Sequence, residues 1–336
     1  MSRSAINPEA WNRCLDSSPN RIIYTYTWYL DAVTNLPDWR WEGLILRDKS
    51  GDYRAVMPVP LRHKFGVWVV HQPLFCQFLG VFGAKITPDL VEAFARTLLK
   101  KYRYGSIFHV KGSPAFAEME RQTFNSQQAH THLLDLSNSY QTIYGNYSSD
   151  TRRHLRQAQA AQWLVQESTD PVPLLALFRK HHAHQIPGGV GDWAYGLFEN
   201  LFGELQKRGL ATLQYATRAG RIEAGAIFIE SDNRLIYLFN AASELGRKHH
   251  ARTLLIDGII QQQAGRDGII FDFESPEKES VAQFYQGFGA TESPFCAVRW
   301  NRLPWLMRVG KSLTCQHALT KLRGHFQAVE PLNIHL

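Results

Sequence analysis

Two hydrophobic periods alternate along the chain, one near 3.6 residues and one near 2, and the alternation runs through twice. In the first block, residues 7–14 and 27–35 read as short helices, and strand-like runs follow at 41–47, 53–59 and 67–70. Residues 88–102 then place Leu90, Val91, Phe94, Leu98 and Leu99 on one side of an amphipathic helix, and 106–110 reads as the next strand. A mixed polar stretch from 116 to 146 separates the blocks, so a boundary is expected near residue 130. The second block opens with a strand at 132–136. A helix follows, begun by Ser148, Ser149 or Asp150, whose side chains can accept from first-turn amides. Helices at 172–182 and 193–208 flank a glycine-bearing run at 187–191. Three β-rich segments come next, at 212–217, 223–229 and 235–240, with turn residues between them.

The densest pattern lies between 245 and 288. A basic loop (Arg247, Lys248, His249, His250, Ala251, Arg252) leads into a helix carrying Leu254, Leu255, Ile259 and Ile260, which Gly265 is placed to close. An apolar strand at 269–273 follows, then a short helix containing Phe284 and Tyr285. Strands alternating with helices in this way predict an α/β (α+β) architecture, a mixed sheet covered by helices, with ligands at strand ends.

Composition narrows the class. In 336 residues, 44% hydrophobic and 20% charged residues exclude a disordered or fibrous chain, and the length fits about two domains. The four cysteines are far apart without a CxxC pair, which excludes a zinc ribbon and a disulfide scaffold and fits a cytoplasmic location. The start has no apolar core of signal-peptide length. The longest apolar stretch, 65–84, is interrupted by His71, Gln72, Pro73 and Gln77, so strands broken by a turn are expected there and no transmembrane segment. The net charge of +7 suits polyanionic ligands without demanding them. Residues 301–336 form a basic helical tail, expected to pack its apolar stripe on the body; the alternative is peripheral contact with an anionic membrane.

Several residues could carry chemistry. Asp272 and Glu274 have one parity on the 269–273 strand and its end, and are read as acid–base or anchoring carboxylates; helix capping or pairing with arginine is the competing reading. The basic loop at a helix start is a phosphate site by charge and dipole, or else a solvated loop. Arg152 and Arg156, four apart with Arg153 beside them, share a helix face suited to a phosphate or carboxylate. The run His181, His182, Ala183, His184 has HxxH spacing but no carboxylate or cysteine ligand beside it, so no metal is expected. Rossmann and Walker glycine patterns are absent from the sequence.

Three segments are similar to a known group. The run 152–158 (RRHLRQA) resembles a helix of Fem-type aminoacyltransferases and their FemAB-like relatives. Residues 271–274 (FDFE) and 284–289 (FYQGFG) resemble that group's strand end and closing helix, and Met57-Pro58 with 72–75 (QPLF) is similar to its first-half strand pair. The resemblance covers most of the chain in order. It implies two tandem GNAT-like domains, each a mixed central sheet flanked by helices: 1–130 without chemistry, 131–300 catalytic. It further implies direct acyl transfer to an amine, with no covalent intermediate. In that reading Asp272, Glu274 and Tyr285 are catalytic, and Arg247 to Arg252 hold the donor. Arg152, Arg153, Arg156 and Gln286 contact the substrate. Where GNAT loops read R/Q-x-x-G-x-G/A, this loop has no inner glycine, and Gln286 stands where many Fem-type members have lysine. The donor expected is acyl-CoA (acetyl-CoA), with aminoacyl-tRNA as the Fem-type alternative and a cell-envelope or small-molecule amine as acceptor. A non-enzymatic binding module and nucleic-acid binding through the tail are the remaining alternatives.

Overall fold

The computed structural model describes residues 1–64, 66–109, 125–186, 188–274 and 279–303. The chain divides into two compact units; among the described residues one comprises 1–129 with 294–303, the other 130–293. The basic tail expected at 301–336 lies, apart from its first three residues, outside the described residues.

The first unit opens with α1 (Pro8–Asp16), where Asn7 accepts from the Ala10 amide and Pro8 supplies the preset first-turn φ. α2 (Thr27–Val33) precedes β1 (Trp39–Arg47), β2 (Tyr53–Lys64) and β3 (Val67–His71). α3 (Pro88–Lys101), capped by Thr87, leads to β4 (Tyr104–His109). β1, β2 and β3 are antiparallel in turn, β3 and β4 are parallel, and residues 296–301 pair antiparallel with β4. The apolar face of α3 (Val91, Phe94, Leu98, Leu99) buries against Met57, Val59, Leu61 and Val70 of this sheet. Each such side chain contributes roughly 1.5–3 kcal/mol by leaving water.

The second unit begins in β5 (Asn125–Asp135) and continues with α4 (Tyr140–Gly145), α5 (Ser149–Ala160) and β6 (Leu164–Ser168). Then come α6 (Val172–His181), α7 (Asp192–Lys207), β7 (Ala211–Arg218), β8 (Arg221–Ser231) and β9 (Arg234–Ala242). α8 (Glu244–Lys248), α9 (Ala251–Gln263), β10 (Ile270–Asp272), α10 (Glu279–Gln286) and β11 (Thr291–Asn301) complete the described order. The sheet order is β5–β10–β9–β8–β7–β6, antiparallel except for the parallel β9–β10 pair. On one face, Leu155 of α5 and Leu255, Ile256, Ile259 and Ile260 of α9 pack with Phe228, Tyr237 and Phe271. On the other, Phe178 of α6 and Phe198 of α7 meet Phe239.

α9 departs from the single apolar stripe that its sequence predicts, because it is buried over most of its circumference, Asp257 included. That carboxylate is tolerated because the Tyr140 and Tyr147 hydroxyls donate to it at 2.9 and 3.1 Å. α4, β6, α8 and β11 were not expected. α8 occupies the first half of the presumed basic loop, where Ser243 caps the Gly246 amide.

Two glycines separate packing from propensity. A Cβ on Gly246 would run into the Glu223 carbonyl oxygen, whereas one on Gly258 in α9 meets nothing within 4 Å. Thermal or urea unfolding is therefore expected to show Gly246→Ala destabilised by about 1–3 kcal/mol and Gly258→Ala stabilised by roughly 0.5–1 kcal/mol.

Candidate active site

β10 pairs with β9 over three residues only, Ile270 with Arg234 through Asp272 with Ile236. β9 itself runs on to Ala242 and stays paired with β8 to that point. A register shift opposite Ile227 and Phe228 inserts Leu238 as an extra residue in β9, and such a bulge bends its strand. Among the described residues, the parallel ladder ends at Ile236 and Asp272.

Asp272 holds the point of divergence. Its carboxylate, wholly buried, accepts from Thr131 Oγ1 of β5 at 2.8 Å and from the Glu274 amide at 2.9 Å. It also pairs with Arg234 of β9 at 2.5 Å. The competing reading of Asp272, pairing with arginine, thus describes its geometry. The strand ends at Asp272, and Glu274 takes a left-handed φ of 46°, so the shared parity expected of the two carboxylates does not extend to Glu274. Glu274 is itself buried, and its charge is close enough to Tyr285 to raise that phenol further. Tyr285 stacks on Phe273 with ring centroids 4.5 Å apart and meets Tyr237 edge-on at 6.2 Å. Burial pushes its pKa well above the usual value, so it carries its proton.

The basic residues divide. Arg247 donates to the Ala242 carbonyl at 2.9 Å, and Arg252 donates to Asn240 Oδ1 at 3.2 Å while lying over the Phe284 ring. Both therefore stand at the C-terminal end of β9. Lys248 lines a separate groove of about 860 Å³ with Lys180, Glu223 and Glu244. His249 accepts from Trp163 through its carbonyl. His250 precedes α9 in the left-handed conformation (φ 53°) that the missing glycine would otherwise supply, and it makes no side-chain cap. Its ring stacks on His154 of α5 at 4.0 Å. Ala251 is buried at the start of α9.

Ser148 caps α5, whose Arg153 pairs with Asp150 at 3.0 Å on the surface. Arg152 reaches the Gly145 carbonyl at 3.4 Å, and Arg156 is exposed. Gln286 lies 3.2 Å from both His132 Nε2 and Glu292 Oε1, away from the phosphate-binding candidates. The site also contains Asn240, Tyr237 and His182, whose roles the sequence did not single out. His182 is fully buried against Ala242, and burial with the nearby Arg252 lowers its pKa to about 4. Among the described residues no group of three or more His, Cys, Asp or Glu could hold a metal, and no helix is long and apolar enough to cross a membrane.

Residues 145–278 match the acetyltransferase (GNAT) domain family. The fold is similar to FemX at 12% identity, with a TM-score of 0.64 over 87% of this chain and 96% of that one. It is also similar to a tandem GNAT protein from the clavulanic acid biosynthesis pathway (11% identity, TM-score 0.54, 90% and 98% covered). A third likeness is to L-PGS from Bacillus licheniformis (11%, 0.52, 95% and 97%). No curated protein sequence matches significantly. Residues 145–278 thus carry a GNAT-type acetyltransferase domain, in a fold similar to that of FemX and of a tandem GNAT protein.

Buried neutral His182 links stability to pH. Below the ordinary value of 6.5 the unfolded chain binds a proton that the folded ring refuses until about 4. Stability contributed by this residue is thus complete above about pH 6.5 and lost as pH falls toward 4. Urea unfolding at steps across that window is expected to show a shallower loss in His182→Phe than in the natural sequence.

Proposed function

We propose that the second unit transfers an acyl group from acyl-CoA to an amine, by direct attack of the amine on the thioester. The observation that carries this reading is that the β9–β10 ladder ends at Ile236 and Asp272 while Arg247 and Arg252 bond to the last residues of β9, beside the start of α9. The pantetheine arm, a narrow chain of amides, is assigned to run along the C-terminal end of β9. The donor's phosphates suit the first-turn amides and positive end of α9, with Arg247 and Arg252 beside them. The left-handed His250 keeps the backbone shape expected of a glycine loop, which argues against a degenerate, non-enzymatic site.

Direct transfer needs a free amine, a stabilised carbonyl oxygen and a proton for the leaving thiolate. Glu274, buried just beyond the end of β10, is assigned to accept the amine's proton. Tyr285, held protonated by burial, is assigned to protonate the leaving sulfur. Asp272 acts through its Arg234 and Thr131 contacts, which fix the turn carrying Glu274. Arg152, Arg153 and Arg156 are assigned to the acceptor or to an anionic portion of the donor. The sequence resemblance of residues 152–158 and 284–289 to Fem-type aminoacyltransferases supports cell-envelope amines as the acceptor class. It also keeps aminoacyl-tRNA as the second donor reading, favoured by the exposed Arg153 and Arg156 on α5.

Calorimetric titration with acetyl-CoA tests the donor. Saturable binding is expected, weakened about tenfold in Arg252→Ala by loss of one charge-assisted contact. Binding of aminoacyl-tRNA without acetyl-CoA binding would favour the second donor. In an acetyl transfer assay, Glu274→Gln is expected to lower kcat by about 10²-fold or more, and unchanged turnover would remove Glu274 from the reaction.

A further inference from the structure

The groove of about 860 Å³ beside α6 takes no part in the reaction proposed above. It lies within the second unit, walled by α6, the start of β8 and α8. Its volume falls in the roughly 300–1,000 Å³ range of small-molecule sites.

The helical repeat of α6 determines what the groove offers. Pro173, Ala176, Leu177, Lys180 and His181 recur at steps of one, three and four residues and share one face, while Leu174, Leu175 and Phe178 are buried in the core. The lining face changes character along its length, from aliphatic at Pro173, Ala176 and Leu177 to basic at Lys180, over about 10 Å of helix. Ile222 of β8 and Leu245 of α8 extend the aliphatic part, and Leu245 leaves 38% of its surface in water there. Among the described residues no aromatic ring lines the groove, so it has no platform on which a nucleobase could stack.

The charged lining is unbalanced. Lys180, Arg221 and Lys248 make no ion pair or side-chain hydrogen bond among the described residues. Of the two carboxylates in the lining, Glu223 accepts from the Ser243 hydroxyl and Glu244 sits in the first turn of α8. The smaller cavity of the first unit differs in this respect, since its Arg3 pairs with Asp31 and its Arg40 with Glu42. Three cations against two carboxylates leave the groove positive, and Arg247 adds its charge close to His181. An anion there meets donors that no protein acceptor has taken.

We propose that the groove between α6 and α8 binds an amphipathic anion, a single unbranched aliphatic chain ended by a carboxylate or a phosphate. The chain lies along Pro173, Ala176, Leu177 and Leu245, and Lys180 and Lys248 hold the head. Walls on three sides admit one dissolved chain and not the surface of a bilayer. The site is distinct from the donor contacts of Arg247 and Arg252 and does not rest on the acyl-CoA reading.

Calorimetric titration of the full chain with decanoate and with decyl phosphate, each below its micellar range, tests the site. Acetate supplies a head without the chain, and decyltrimethylammonium the chain with the opposite charge. Saturable binding of at least one anionic chain is expected, with no saturation by acetate or the cationic chain over the same range. Lys180→Glu is expected to weaken that binding about tenfold. Ala176→Glu, which sets a charged side chain in the aliphatic part from an exposed position, is expected to abolish it. Both variants are expected to keep the natural melting temperature, and Ala176→Glu to keep the natural affinity for acetyl-CoA. Failure of both anionic chains to saturate, equal binding of the cationic chain, or binding untouched by either substitution would overturn the proposal. A parallel loss of acetyl-CoA affinity in Ala176→Glu would make the groove part of the donor site and overturn its assignment as a second one. Co-sedimentation with phosphatidate vesicles separates the sources. Vesicle binding lost in Ala176→Glu, without binding of either dissolved chain, would give the groove to a bilayer and overturn the single-chain assignment.

Discussion

Two parallel strands that stay together for only three residues govern the second unit. Parallel pairing would satisfy the N–H and C=O groups on one edge of β9, and where that pairing ends those groups must find other partners. Here the divergence is built in. A bulge at Leu238 bends β9, while Asp272 fastens β10 to β5 and to Arg234 at the last paired position. Replacing Arg234 would leave the wholly buried Asp272 carboxylate without its counter-charge, a change costing several kcal/mol in comparable buried pairs.

Electrostatics complete what the backbone begins. Arg247 and Arg252 come from two different helices, yet both bond to the C-terminal end of β9, through Ala242 and Asn240. Their side chains are oriented before any ligand arrives, which lowers the entropic cost of gripping an anion. Opposite them, Glu274 and Tyr285 share a dry environment with Phe273 and Tyr237. A carboxylate and a protonated phenol in such surroundings are suited to opposite halves of a proton-transfer sequence.

Much of this was legible in the sequence. The 3.6-residue spacing of Leu255, Ile259 and Ile260, the Ser148 cap and the Gly265 stop all mark helices that the structure contains. Residues 152–158 and 284–289 carried the resemblance that pointed to tandem GNAT folding, and the structural likenesses share that fold. What escaped depends on tertiary context. β6, with Leu164 and Val165 exposed, lacks an alternating apolar face and becomes a strand only through pairing with β7. The loop at 247–252 looked continuous because α8 is five residues long and held by Ser243 and close contact at Gly246. The left-handed turns at His250 and Glu274 are unmarked because neither residue is glycine. His182 was visible as part of an HxxH run, but its contact with Ala242 arises from a strand sixty residues away.

The central claim is that the C-terminal end of β9 and the start of α9 receive the donor together. Amide hydrogen exchange with and without acetyl-CoA examines it directly. Added acetyl-CoA is predicted to slow exchange at Asn240 and Ala242 and at Ala251, Arg252 and Thr253, with little change in the first unit. Binding accompanied by protection confined to other segments would contradict the account.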